Sequence, residues 1–168
     1  PAAVAQAIIF SLLPSTISPL VPKSINSLIS SLVTMSLANT PATISLPTKA
    51  DNNDIAIEYL KKRGINEDVI SFFVENGMLY QSVPMNNIVF VGYDENSKPK
   101  YAGMRGTEKY RYIGDAYGSD KTFPFRLVNK DNTNIHIFEG AIDLLSYATL
   151  LYEQGSDFKS QNLVSLSG

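Results

Sequence analysis

The stretch IHIFEGAIDLLSYATLL, Ile135 to Leu151, runs from apolar residues through a carboxylate and a glycine into a helical pattern. Asn134 to Phe138 reads as a strand, Gly140 permits a tight turn, and about Ala141 to Glu153 reads as a helix. A second apolar run follows at Asn162 to Leu166, so the order is β, α, β. A right-handed crossover makes two such strands parallel neighbours. In an open α/β sheet, functional side chains gather at the carboxyl ends of strands, and Glu139 stands at such an end. Asp143 falls in the first turn of the helix. On spacing alone E-G-x-x-D is a weak motif, and a dipole-complementing Asp143 with a solvated Glu139 is the better account of it.

Upstream, Asp54 to Arg63 reads as a helix ending at Gly64. Asn66 is placed to cap a second helix through Val69, Ile70, Phe73 and Val74 to Gly77, with Glu67 and Asp68 in its first turn. In NIVFVGYDENSKPKYAGMR, an apolar run from Ile88 to Tyr93, a turn at Asp94 to Ser97 and an extended run from Tyr101 to Arg105 predict a hairpin. A loop-rich stretch then leads to TFPFRLV. The expected class is α+β to α/β: two helices plus an antiparallel sheet, followed by a β-α-β unit. Three regions are expected: 1–48, 49–132 and 133–168. In the first, Lys23 is the one charged side chain, and Ile25, Leu28, Ile29, Leu32 and Val33 recur at helical spacing opposite Ser and Asn. Ala2 to Leu13 is too short to span a bilayer and has no basic flank, so no membrane partner is expected.

With 168 residues, 44% of them hydrophobic, and nine Tyr plus eight Phe, the chain can bury the core of one ordinary domain, or of one domain with an appendage. A net charge of -2 gives no global attraction to nucleic acid, so such a partner must be met by a local patch. Zero Cys removes disulfides, thiolate chemistry and Cys-based zinc sites, and a cytoplasmic location is expected. The single histidine, His136, sits among Ile135, Ile137 and Phe138, where a packed role is expected rather than a catalytic one. No G-x-S-x-G elbow accompanies the many serines.

Such a patch exists. Between Lys98 and Arg126 seven cations stand against three acids, a surplus of four in a chain that is negative as a whole. Tyr101, Tyr110, Tyr112, Tyr117, Phe123 and Phe125 are interleaved with them. Phosphate-pairing cations with stacking rings suit single strands. Lysines guarding hairpin edges and aromatics filling a core give the same composition.

The Glu139–Asp143 stretch is similar to the first motif of TOPRIM domains, most closely those of bacterial primases, in which an apolar strand ends in Glu-Gly followed shortly by Asp. The segment NIVFVGYDENSKPKYAGMRGT resembles the strand, turn and Gly-Gly-Arg strand that precede that domain in primases, with Arg105 at the matching Arg. LVSLSG looks like the second TOPRIM strand and its Gly loop. YLKKRGI, VGYDENSKPKYAGMRGT and GSDKTFPFRL further resemble mobile-element proteins in which a domain of uncharacterised function precedes a primase-like TOPRIM domain. The likeness covers roughly 46–168.

The resemblance implies a nucleotidyltransferase acting on DNA for a plasmid, phage or integrative element. Glu139 would do acid/base work or position Mg²⁺, with Asp143 in support. A later Asp-x-Asp pair would complete the metal site, but the sequence closes at Gly168 ahead of any place for that pair, so this chain alone is expected to be inactive. Arg105, Lys121 and Arg126, with Lys100 and Arg111, would guide a single-stranded DNA or RNA template and nucleotides. A non-catalytic DNA-binding or scaffolding module beside a relaxase or helicase, and a TOPRIM nuclease, are the alternatives. Open strand edges also predict self-association.

Overall fold

A computed structural model describes residues 43–108 and 112–166, and the account concerns the unit Ala42–Gly168. The expected helix at Ile25–Val33 and the side chain of Arg111 lie outside the described residues.

Helix α1, Asp54–Lys62, buries Ala56 and Leu60 and stops at Arg63, after which Gly64 turns the chain at φ +83°. Its first free N–H groups are satisfied from a distance. The Gln81 side-chain oxygen accepts from the amides of Ile55 and Ala56 at 3.0 and 3.1 Å, while Asn53 Oδ1 accepts from Gln81 N at 2.7 Å. Helix α2, Glu67–Glu75, starts as its sequence dictates: Asn66 Oδ1 accepts from Asp68 N at 2.9 Å, and Glu67 and Asp68 occupy the first turn. It buries Val69, Ile70 and Phe73.

Strands β1 (Leu79–Gln81), β2 (Ile88–Tyr93), β3 (Pro99–Arg105) and β4 (Ile113–Asp115) form an antiparallel sheet in sequential order. The predicted hairpin is β2–β3. Its turn is closed by Asp94, whose Oδ1 accepts from Asn96 N and Lys98 N, each at 2.9 Å. The outer strands β1 and β4 have three residues each, too short for a period-two pattern to reveal them. Side chains of β2 alternate between two apolar clusters: Ile88 and Phe90 face one, Val89 and Val91 face the other with Tyr80, Ala102 and Ala116.

The second sheet contains β5 (Arg126–Leu127), β6 (Ile135–Phe138) and β7 (Asn162–Ser165) in the order β5-β7-β6. Helix α3, Ala141–Glu153, and a short 3-10 turn at Phe158–Ser160 connect β6 to β7, which are parallel from Ile135↔Asn162 to Phe138↔Ser165. This is the β-α-β order expected from the sequence. TFPFRLV supplies what the sequence reading left open: its Arg-Leu pairs antiparallel with β7.

Among the described residues, both sheets and all three helices share one core. Leu60, Phe73, Phe90, Phe125, Leu144, Leu145 and Leu163 belong to a single buried cluster, which crosses the expected boundary at 132/133. Each such side chain contributes about 1.5–3 kcal/mol. Gly92 allows the closest approach between segments, since a Cβ there would lie 1.8 Å from the Phe123 carbonyl oxygen. On the second sheet, Leu163 and Ser165 point into the core, while Ile135 and Ile137 alternate outward, 58% exposed each. Among the described residues no helix is long and apolar enough to cross a membrane.

Candidate functional site

A cleft of about 310 Å³ opens between the β3–β4 edge of the first sheet and the carboxyl ends of β6 and β7. Its floor is apolar, with Phe90, Phe125 and Ile142, and its rim is charged, with Arg63, Arg105, Asp115, Glu139 and Asp143. Three residues singled out in the sequence, Arg105, Glu139 and Asp143, therefore meet at one place although 34 positions separate Arg105 from Glu139.

The carboxylates differ in what holds them. Glu139 directly follows β6 and is exposed, and its carboxylate makes no hydrogen bond or ion pair with a described residue. Asp143 sits at the third position of α3, and its Oδ2 accepts from the backbone N–H of Gly140 at 3.2 Å. That bond satisfies the amide of the helix-capping residue, so the dipole-complementing role expected from position is real. Asp115 is tied twice, accepting from the Tyr101 hydroxyl at 2.8 Å and pairing with Lys121 at 3.1 Å.

The cations divide in the same way. Arg105, half-buried at the end of β3, donates from Nε to the Tyr59 hydroxyl at 3.5 Å. Arg63, exposed at the end of α1, faces the same cleft. Neither forms an ion pair with a described carboxylate. Lys121 pairs with Asp115 of the rim. Lys100 lies 3.9 Å from Asp94, whose carboxyl is held below the usual range chiefly by the Lys98 amide. Arg126 donates from Nη2 to the Tyr93 carbonyl at 3.0 Å and lies over the Phe123 ring. Lys100, Lys121 and Arg126 do not line the cleft.

The aromatic run splits as well. Tyr101 and Phe125 are core residues, whereas Tyr112 and Tyr117 are 45% and 78% exposed. Among the described rings of the run these two are the exposed ones, Phe123 is half-buried, and Tyr110 lies outside the described residues. His136 packs on Tyr147, with ring centres 5.0 Å apart, as its apolar neighbours indicated.

Arg63 was missed in the sequence because the Arg-Gly pair was read solely as a helix end. Its signal was positional: residues 59 and 63 are one turn apart and share a helix face. For Mg²⁺ the donor set is short. Glu139 is an uncommitted hard oxygen ligand, but Asp143 is engaged with Gly140, and no group of three or more His, Cys, Asp or Glu converges among the described residues. These residues do not make a complete metal site.

Residues 58–132 match a family described as a protein of unknown function, DUF3991. That span contains Arg63 and Arg105 and stops before Glu139. The chain is also similar to the uncharacterized protein pXO2-78 of Bacillus anthracis, at 30% identity over 126 residues. The match covers 68% of this chain and 35% of that protein, so the chain spans about a third of its relative's length. No solved structure matches.

Proposed function

We propose that this chain is the nucleic-acid-binding part of a primase-like TOPRIM protein of a mobile element, with single-stranded DNA or RNA as its ligand. The observation that carries the reading is the convergence of Arg105, from the hairpin, with Glu139 and Asp143, from the opening of the β-α-β unit, on one cleft. A strand approaching it meets attraction on the arginine side and repulsion on the carboxylate side. Its backbone therefore runs along the wall formed by Arg63 and Arg105, and its reacting end faces Glu139. The exposed Tyr112 and Tyr117 offer rings to unstacked bases. Mg²⁺ chemistry, as the TOPRIM likeness implies it, would require carboxylates beyond those gathered here.

A second reading, a DNA-binding module without chemistry, is favoured by the engagement of Asp143 with Gly140. In that case the acidic pair starts a helix and does nothing more.

Fluorescence anisotropy of a labelled single-stranded oligonucleotide, titrated across a salt series with the wild-type chain, Arg105→Ala and Lys121→Ala, tests the proposal. Binding that weakens with salt, and weakens more through Arg105→Ala than through the Asp115-paired Lys121→Ala, is the expected result. A folded chain that fails to bind at low salt would overturn it.

A further inference from the structure

We infer that Tyr59 is a positioning residue for Arg105: its hydroxyl lies 3.5 Å from Nε, at the outer limit of a hydrogen bond, and backs the guanidinium at the cleft wall without neutralising it. The inference rests on the nucleic-acid reading above. A half-buried guanidinium is costly to leave without partners, and the common remedy is a carboxylate. A carboxylate would also cancel the charge that a phosphate needs. At this site the partner of Nε is a neutral phenol oxygen at 3.5 Å. The bond uses one of five donors and leaves the two terminal nitrogens, which match two phosphate oxygens, without a partner among the described residues.

Tyr59 is itself anchored. It is half-buried against the main apolar cluster, on the helix that also presents Arg63 one turn later. Helix α1 thus supplies one arginine of the cleft directly and orients the other through a side chain behind it. Outside the cleft, Lys100 and Lys121 are held by carboxylates and Arg126 commits a terminal nitrogen to the Tyr93 carbonyl, whereas the Tyr59 hydroxyl engages Nε of Arg105 and leaves the terminal nitrogens to the cleft.

Tyr59→Phe keeps the ring and removes the hydroxyl. In the full chain, the Arg105 Nε–H resonance should be sharp in the wild type and shifted or broadened by Tyr59→Phe, with no change in thermal midpoint beyond a few degrees. Affinity for the labelled oligonucleotide should fall by about threefold to tenfold. In an Arg105→Lys background, which keeps the charge but has no Nε, the same substitution should change nothing. An unmoved resonance, unchanged affinity, or an equal loss in the Arg105→Lys background would overturn the inference. If the resonance moves but neither the wild type nor any variant binds the oligonucleotide, the nucleic-acid reading fails, and the role given to Tyr59 fails with it.

Discussion

Phe73 of helix α2 and Phe125, the residue leading into β5, lie with ring centres 5.3 Å apart, and Phe90 of β2 lies 5.3 Å from Phe125 on the other side. The contact joins the first sheet, the second sheet and helix α2, so the main cluster is common to both sheets, while the smaller cluster lies on the other face of the first sheet. Phe125→Ala should cost about 3–5 kcal/mol. Urea unfolding followed by tyrosine fluorescence and by circular dichroism should show a single earlier transition, and two separate transitions would refute a shared core.

Gln81 is buried and serves as the cap of a helix twenty-five positions before it. Gln81→Ala leaves the amides of Ile55 and Ala56 without that acceptor, at a cost of about 1–3 kcal/mol. Hydrogen exchange should report the loss first at the amino end of α1. Uniform weakening across the unit would show that the contact is not local.

Two glycines should respond differently to alanine. At Gly92 the new Cβ meets backbone, with the Phe123 oxygen 1.8 Å away, and only displacement of the 123–124 segment relieves it. A loss of about 3 kcal/mol, at the upper end for overpacking, is expected. At Gly155 there is open space and the penalty is conformational, from φ +74°, at about 1 kcal/mol. Thermal denaturation of both variants checks the order.

Tyr80 donates to the Pro47 carbonyl at 2.8 Å in a buried position, and burial, with a smaller effect from Tyr93, pushes its pKa up to about 12. The folded state therefore holds this proton more tightly than the unfolded chain, whose tyrosine titrates at about 10. The associated stability is fully present below pH 10 and is lost as pH rises from there through 12. Tyrosinate absorbance should show late-titrating groups in the native protein, Tyr80 among them, since burial also raises Tyr93 and the Asp68 carboxylate raises Tyr152. Tyr80→Phe should remove one of these groups and reduce the alkaline loss of stability.

Glu139→Gln removes one of the negative charges facing the cleft. If phosphates lie along the Arg63–Arg105 wall, affinity for a single strand should rise by about twofold to fivefold at low salt, and the difference should fade as salt is added. The anisotropy titration reads this directly. An unchanged or lower affinity would place the ligand elsewhere.

Much of this architecture was legible where periodicity or capping chemistry acts over one element. Asn66 with its two following acids marked α2, Asp94 marked the hairpin turn, and the apolar runs around Gly140 marked the β-α-β unit. The missing parts depend on distant partners. Nothing local to Gln81 says that it caps a helix, and nothing local to Arg126-Leu127 says that two residues join β7. The cleft was half legible. Glu139, Asp143 and Arg105 were named from their motifs, but the string that offered Lys100, Lys121 and Arg126 behind Arg105 could not show that two of them are paired with carboxylates and the third with a carbonyl. Arg63 needed the folded chain, because only the packing of α1 on the first sheet, through β1, brings it to the rim.

The alternation along β2 makes this strand intolerant of any change in length. Ile88 and Phe90 belong to one cluster, Val89 and Val91 to the other, and both clusters are otherwise fixed by different segments. Insertion or deletion of one residue would turn every side chain over, sending each set into the space shaped for the other. A duplication or slip that a surface turn such as Glu95–Ser97 could absorb is thus closed to β2. Descendants of this sequence can vary the size of the side chains on either face, but not the count of residues between Ile88 and Val91.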